Sequence, residues 1–338
     1  MRRVRAGRKS SPPTAVAPTL SFGGWENLSG PTLAVCHPDW RGVRTAAYAF
    51  GDPVVETADP GRDAAAIVAG ARSAGVSALV VHGFPPGTAA LLQAAKRAGL
   101  ETRSVMHSSL AQHGAEAGEA AMMDAVAALA AAGTLDRIGV VKEGIAEALT
   151  AMGVRATHTP NRVPTIGEPT SLDLGPGAPH VGVFGAPYWR KNVVTQLGAV
   201  ALLGGTGHVM VRPAVGYLDG MRLVEHGDLP RDRFLAIQAS TQLNLYVTLS
   251  ECHPMGPMES YLSGVPALMS RTSGLFRSDP TLWDLTTADR PDDPTAIAAA
   301  ARRLTEHGAD AIARAKEWMQ RADADATAIW RGFVGVDR

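Results

Sequence analysis

The sequence of 338 residues predicts an α/β protein with two doubly wound parallel-sheet domains that face each other across a cleft. Short β-branched runs alternate with alanine-rich helical stretches along most of the chain. A segment rich in Pro and Gly interrupts this alternation near the middle of the chain, and the alternation then restarts. The length is also that of two domains of ordinary size.

Residues 31–165 are predicted to form the N-terminal, Rossmann-like domain. Helices are inferred from apolar residues spaced about 3.6 apart and from Gly or Pro at their ends. The predicted strands are 32–36, 54–56, 78–81, 101–106, 137–141 and 155–158. The predicted helices are 42–50, 63–74, 87–98, 116–132 and 143–152. Strands that alternate with helices indicate a parallel sheet covered on both faces.

Residues 166–179 are a linker by composition, and residues 180–338 are predicted to form a second Rossmann-like domain. The predicted strands of this domain are 180–185, 208–212, 243–249 and 266–270. Its predicted helices are 192–203, 234–240, 257–262, 295–306 and 310–330. The last of these helices is long enough to pack back on the N-terminal domain.

Residues 1–30 form a basic, Pro-rich leader, for which a solvated tail is the simple interpretation and a phosphate-binding arm the alternative. Lys plus Arg and Asp plus Glu both number 32, which argues against a protein that mainly coats nucleic acid or an anionic membrane. The two cysteines are too few for a disulfide framework. The sequence contains no apolar run of transmembrane length, so a cytoplasmic location is expected.

Ligands of open parallel sheets bind at the carboxyl ends of the strands, so two facing sheets predict a site in the cleft between them. The candidate residues therefore follow predicted strands. They are His37, Trp40, Gly42, His82, Gly83, His107 and the segments 185–191 and 250–259.

The segment from 244 to 270 is the most informative of these. A buried strand leads to Glu251, after which Gly256 and Pro257 open a helix whose first turn contains Glu259. Free N–H groups at the start of a helix favour an anion such as a diphosphate. A carboxylate at Glu259 can accept hydrogen bonds from two adjacent hydroxyl groups, as on a ribose.

This segment resembles the donor-binding signature of retaining glycosyltransferases with the GT-B fold, in particular glycosyltransferase family four. Glu251 and Glu259 have the spacing of that family's two glutamates, and Gly264-Val265-Pro266 matches its Gly-x-Pro turn. The resemblance implies that Glu251 is catalytic and contacts the donor. It also implies donor contacts from Gly256, Met258 and Glu259.

The segment 180–192 resembles the start of the family's C-terminal domain, where a glycine ends a strand and cations reach the donor diphosphate. This resemblance implies that Arg190 and Lys191 bind the diphosphate. Many members carry an arginine directly after the glycine, whereas this chain has Ala186 there, and Arg190 is the candidate substitute. Gly274 and Leu275 are similarly implied to offer backbone N–H groups to the donor.

The strands before His82 and His107 resemble the acceptor-domain strands of the family, in which a histidine at the position of His107 touches the transferred sugar. His107 is therefore the second catalytic candidate. The acceptor candidates are His37, Trp40, Gly42, His82 and Gly83. For the glycine-rich loop, Gly42-Val43 is chosen and Gly23-Gly24 is the alternative.

The resemblance implies transfer of a sugar from a nucleoside-diphosphate sugar to an acceptor, with retention at the anomeric carbon. No resident cofactor and no metal are expected. A small-molecule, lipid or glycan acceptor is favoured. The basic leader keeps open a DNA-modifying glycosyltransferase that acts on a hydroxylated base. A sugar-nucleotide epimerase on the same fold and a non-catalytic nucleotide or nucleic-acid binder also remain open.

Overall fold

The computed structural model describes residues 30–168 and 170–335. The basic leader up to residue 29, including Gly23-Gly24, lies outside these described residues. The described residues form two six-stranded sheets, and every strand pair in both sheets runs parallel. Helices alternate with the strands along both halves of the chain. The predicted α/β class with two doubly wound sheets is therefore confirmed.

The first sheet contains six strands from the first half of the chain. They are β1 (Thr32–Cys36), β2 (Val54–Glu56), β3 (Ala78–His82), β4 (Glu101–Met106), β5 (Arg137–Val140) and β6 (Thr157–His158). Their order in the sheet is β2-β1-β3-β4-β5-β6. Every residue of β1 and β3 is buried, as expected for central strands with helices on both faces.

Six helices connect these strands. They are α1 (Arg41–Ala49), α2 (Ala64–Ser73), α3 (Thr88–Arg97), α4 (Leu110–Ala115), α5 (Ala117–Ala131) and α6 (Ile145–Ala151). At the start of helix α4, the amide of Ser109 donates to Oε1 of Gln112 at 3.0 Å. This start is made by polar residues, so the spacing of apolar residues does not predict it. We call this sheet with its six helices the first lobe.

The second sheet repeats the plan in the other half of the chain. Its strands are β7 (His180–Gly182), β8 (Thr206–Val209), β9 (Leu223–Glu225), β10 (Leu243–Tyr246), β11 (Ala267–Ser270) and β12 (Thr287–Ala288). Their order is β12-β11-β10-β7-β8-β9. The strands that follow β7 in the chain therefore lie on both sides of it.

Six α-helices belong to the described part of the second half. They are α7 (Val193–Leu202), α8 (Arg231–Ser240), α9 (Met255–Leu262), α10 (Pro280–Thr286), α11 (Pro294–Glu306) and α12 (Gly308–Val334). Asp279 and Asp293 cap α10 and α11 by accepting backbone N–H groups, with Pro as the next residue in both helices. We call the second sheet with α7–α11 the second lobe.

The prediction missed four short elements, namely α4, α10, β9 and β12. It also extended three strands by three residues each, because β7 ends at Gly182, β8 ends at Val209 and β10 ends at Tyr246. Beyond β10 the chain is diverted from the sheet, since the amide of Val247 donates to Oε1 of Gln196 on α7 at 2.9 Å. Helix α9 begins at Met255, two residues before the predicted start.

Helix α12 packs on both lobes. Its first half contributes Ala311, Ala315 and Met319 to the core of the second lobe. Its last turns place Trp330 and Phe333 against the first lobe, where the Trp330 ring stacks on Phe50 at 3.9 Å between centroids. Helix α12 thus ties the two lobes together.

Within the described ranges, no helix has the combination of length and apolar character needed to cross a bilayer. In the same ranges, no group of three or more His, Cys, Asp or Glu side chains is arranged to hold a metal ion.

Candidate functional site

Loops at the carboxyl ends of the two sheets meet in the crevice between the lobes. Lys142 follows β5, and its Nζ donates to the carbonyl oxygens of Glu251 at 2.6 Å and Thr272 at 2.9 Å. Ser109 follows β4, and its Oγ lies 2.5 Å from Oγ of Ser250. The crevice is therefore closed in this structure, with the segment around Glu251 at the contact.

Both carboxylate oxygens of Glu251 are engaged. Oε2 lies 2.5 Å from Nζ of Lys191, and Oε1 accepts the amide N–H of Cys252 at 3.1 Å and lies 3.7 Å from Nη1 of Arg190. Burial raises the pKa of this carboxyl, but the two cations outweigh burial and hold the pKa of Glu251 below its usual range. Glu251 is consequently ionised at neutral pH and fixes two cations in the crevice.

A sharp turn after β7 presents these two cations. Arg190 and Lys191 lie in a single 3₁₀ turn, Trp189–Lys191, and Asn192 follows it at φ 54°, in the left-handed region that asparagine tolerates. The Asn192 side chain donates to the carbonyl oxygen of Val247 at 3.0 Å, which ties the turn to the segment after β10. Arg190 also lies over the Tyr188 ring, 5.0 Å from its centroid.

Glu259 occupies a second, deeper position on α9. Its carboxylate lies 2.6 Å from Nη2 of Arg231 at the start of α8, and Nη1 of Arg231 donates to Oγ1 of Thr45 on α1 at 2.9 Å. Burial raises the pKa of Glu259, and the Arg231 guanidinium only partly offsets this effect. Because Thr45 belongs to the first lobe, Glu259 lies on the side of the second lobe that faces the crevice.

The remaining donor candidates, Gly256, Met258, Gly274 and Leu275, offer backbone groups rather than side chains to a donor. Gly256 packs against the Tyr246 ring so closely that a Cβ at Gly256 would lie 2.7 Å from a ring carbon. The side chains of Met258 and Leu275 are fully buried in the core of the second lobe, so only their backbone groups remain for a donor contact. Gly274 has φ 76°, a conformation that glycine adopts without strain.

His107 lies at the end of β4, with its Nε2 3.3 Å from Nδ1 of His82. Burial lowers the pKa of His107 to about 3, and the nearby His253 contributes in the same direction. The ring is therefore neutral at physiological pH. It can donate or accept a hydrogen bond, but it cannot supply a positive charge.

The acceptor candidates separate into two groups. The His37 and Trp40 rings stack at 5.0 Å between centroids, and Trp40 covers Gly83, where a Cβ would lie 2.8 Å from the indole. Gly42 is exposed in the first turn of α1. His82, in contrast, is fully buried beside the rings of Phe50 and of Trp330 on α12, and its contact with the acceptor stays a prediction.

Three residues of the site were missed in the sequence, namely Lys142, Arg231 and Asn161. Lys142 follows a predicted strand, so the rule that directs attention to the carboxyl ends of strands points to it as well. Arg231 lies just before the predicted helix, and no local signal marks it. Asn161 donates from Nδ2 to the carbonyl oxygen of His253 at 2.8 Å, a contact that forms only when the lobes meet.

Two surface depressions lie away from this site, one between the start of α10 and α12 and the other beside α10 and α11. One has a volume of about 440 Å³ and is bordered by Trp318 and the Arg314–Asp279 ion pair. The other has a volume of about 460 Å³ and is bordered by Arg271 and Asp284. An ion pair forms part of the border of each depression, and neither depression includes Glu251 or Glu259.

No protein-family model and no curated protein sequence matches the chain. Solved structures do match it in fold. A sucrose-phosphate synthase from Thermosynechococcus elongatus superposes with a TM-score of 0.67 at 16% identity, over 91% of this chain and 99% of that one. A UDP-forming α,α-trehalose-phosphate synthase from Burkholderia xenovorans, in complex with glucose-6-phosphate, gives a TM-score of 0.60 at 11% identity, over 90% and 99% of the two chains.

A structure described as trehalose-6-phosphate from E. coli bound with UDP-2-fluoro glucose gives a TM-score of 0.52 at 10% identity, over 88% of this chain and 99% of that one. At such low identities the likeness concerns the fold. Because each match covers about nine tenths of this chain and nearly all of the other, it spans both lobes. The chain therefore has the GT-B glycosyltransferase fold, whereas membership of family four stays a prediction.

Proposed function

We propose that the chain is a retaining glycosyltransferase that moves a sugar from a nucleoside-diphosphate sugar to a small-molecule or glycan acceptor. The observation that carries this proposal is the crevice-facing group in which Lys191 and Arg190 surround the ionised Glu251 while Glu259 lies buried on the adjacent helix. A diphosphate needs cations, a ribose needs hydrogen-bond acceptors, and this group offers both side by side.

The second lobe binds the donor in this proposal. Lys191 and Arg190 stabilise the negative charge that develops on the departing diphosphate. Glu259 accepts hydrogen bonds from the ribose hydroxyl groups, which requires Arg231 to give up part of its contact with that carboxylate. Glu251 keeps the two cations in place before the donor arrives and contacts the donor sugar.

The first lobe binds the acceptor. The neutral His107 hydrogen-bonds the transferred sugar, and the stacked pair of His37 and Trp40 offers an aromatic face to the acceptor. Aromatic faces suit sugar rings, whose C–H groups are apolar. The departing phosphate takes the acceptor proton, so no separate general base is assigned, and no resident cofactor is required.

The names of the structural neighbours suggest which compounds to try first. Two of them are synthases of sugar phosphates, and one is described as UDP-forming. UDP-sugars are therefore the first donors to test, and sugar phosphates are one acceptor class to test beside free sugars and glycans. A cytoplasmic location stays a prediction.

The experiment is a thermal-shift screen with UDP-, GDP-, ADP- and dTDP-sugars. A ligand that binds the native state raises its stability, so one nucleotide class should raise the melting temperature of the wild type. Glu259→Ala should abolish this rise, while Glu147→Ala, an exposed position on α6, should retain it. If none of the four nucleotide classes stabilises the wild type, the proposed function is wrong.

A further inference from the structure

Four consecutive residues of the second lobe, Ser250 to His253, are held by the first lobe. The hydroxyl of Ser250 hydrogen-bonds the hydroxyl of Ser109, and the carbonyl oxygen of Glu251 accepts from Lys142. We call this four-residue segment the donor loop, because it contains Glu251.

The other half of the donor loop is held in the same way. The Cys252 side chain is buried in a cluster with Phe50 and Val141 of the first lobe, and it is only 4% exposed. The carbonyl oxygen of His253 accepts from Asn161, which follows β6. Every residue of the donor loop thus has a partner across the crevice.

Lys142 has a contact that the other partners lack, because it joins two loops of the second lobe. Its ammonium group donates to the carbonyl oxygens of Glu251 and Thr272, which lie after β10 and β11. Thr272 opens the loop that contains Gly274, a predicted donor contact. Hydrogen bonds from a charged group are stronger than neutral ones, so a single side chain of the first lobe fixes both loops.

We propose that Lys142 is a positioning residue that couples closure of the two lobes to the placement of Glu251. This inference rests on the proposed function, since it concerns the same donor site. When the lobes separate, both carbonyl oxygens lose Lys142 together, and the backbone of Glu251 is released although Lys191 still pairs with its carboxylate. The donor site is complete only when the lobes meet, so the sugar is activated only after closure has shielded the crevice from water.

The test compares Lys142→Met, Lys142→Arg and Glu143→Gln with the wild type. Glu143 is the neighbour of Lys142 and forms an exposed ion pair with Arg277 of the second lobe at 3.3 Å. Glu143→Gln is therefore a matched control that removes the negative charge of an interlobe ion pair without touching the donor loop. The probe is UDP, with GDP, ADP and dTDP run alongside, and two quantities are measured for each protein. They are the Kd of the nucleotide and the hydrogen-exchange rates of amides at 250–253 and 272–275.

Lys142→Met should weaken nucleotide binding about tenfold and speed exchange in both loops, with the rest of the second lobe unchanged. Lys142→Arg should restore most of the nucleotide affinity and most of the slow exchange, because a guanidinium also donates to two carbonyl oxygens. Glu143→Gln should match the wild type in both quantities. Unchanged exchange in both loops of Lys142→Met overturns the inference. If the wild type binds none of the four nucleotides, the proposed function fails, and the exchange rates still decide whether Lys142 orders the donor loop.

Discussion

Glu251 and Glu259 are both buried beside cations, yet their pKa values are displaced in opposite directions. Glu251 has two cations and a backbone N–H group around it, and together they outweigh its burial. Glu259 has one cation, Arg231, whose side chain is 40% exposed and therefore partly screened by water. Burial consequently prevails at Glu259 and raises its pKa.

This difference predicts opposite pH trends for Glu251→Gln and Glu259→Gln. Glu251 has a lowered pKa when folded, so its ionisation stabilises the fold above the usual glutamate pKa, and this contribution is lost as the pH falls through the folded value. Glu259 has a raised pKa when folded. Its ionisation therefore destabilises the fold, and this effect grows as the pH rises from the usual glutamate pKa through the raised pKa of the folded state.

The free energy of unfolding of both variants and the wild type is to be measured with urea at pH 7, 5 and 3.5. Glu251→Gln should be most destabilising at pH 7 and less so at pH 3.5. Glu259→Gln should be least destabilising at pH 7 and more destabilising at pH 3.5. The same trend in both variants would contradict the assigned electrostatics.

Lys191→Met should weaken nucleoside-diphosphate binding at least tenfold and lower the free energy of unfolding by about 1–3 kcal/mol, because a buried carboxylate loses its nearest partner. Titration calorimetry with UDP and urea unfolding measure the two effects. Lys191→Arg, which keeps the charge, is the control and should retain most of the binding. Nucleotide affinity of Lys191→Met within twofold of the wild type would show that this cation does not contact the diphosphate.

Gly256→Ala should destabilise the protein by about 1–3 kcal/mol, because the added methyl group would overlap the Tyr246 ring and press on the start of α9. The matched control is Gly118→Ala on α5, where the new methyl group meets no atom within 4 Å. That substitution should stabilise the protein by about 0.5–1 kcal/mol through helix propensity. Urea unfolding measures both variants, and equal effects would refute the close packing at Gly256.

A chain of three histidines crosses the second lobe. Nδ1 of His180 lies 2.8 Å from Nε2 of His208, whose Nδ1 lies 2.9 Å from Nε2 of His226. Nε2 of His180 lies 3.2 Å from the carbonyl oxygen of Gly175, which can only accept, so His180 carries its proton on Nε2. The neutral chain then has one consistent arrangement of donors and acceptors.

Burial lowers the pKa of His208 to about 4, and both neighbouring histidines add to the effect. A histidine with a lowered pKa stabilises the fold above its unfolded value of about 6.5, and that contribution is lost as the pH falls to the folded value. Between pH 6.5 and pH 4, the free energy of unfolding of the wild type should therefore fall by on the order of 3 kcal/mol more than that of His208→Gln. The exposed His307→Gln is the control, and an unchanged pH slope in His208→Gln would contradict this account.

Much of the fold follows from local pattern. The alternation of β-branched runs and alanine-rich stretches identifies the central strands, which are fully buried and so lack polar interruptions. The missed strands β9 and β12 have only three and two residues. Strand β9 is mostly exposed, whereas the equally short β2, which was predicted, buries Val54 and Val55. Helix α10 begins with Asp279 as its N-cap and Pro280 as its first residue, which is a helix start signal in the sequence. The helix was missed because it has only seven residues, too few for a clear apolar spacing.

The site was predictable only in part. The sequence predicts Glu251, Glu259 and Lys191, because each lies in a segment with a recognisable order of strand, loop and helix. Lys142 and Arg231 act across the crevice, and their partners are set by how the lobes dock, which no local pattern encodes. The burial of His82 also depends on a distant part of the chain, because the Trp330 ring of helix α12 packs close to the His82 ring.

The most direct measurement is the hydrogen-exchange footprint of the nucleoside diphosphate that stabilises the protein best. Exchange should be slower at 185–192, 250–259 and 272–276, because Lys191, Glu251 and Glu259 would surround the ligand. Protection confined to the depression around Arg314 and Trp318, or no protection by any of the four nucleotides, would contradict a donor site in the crevice.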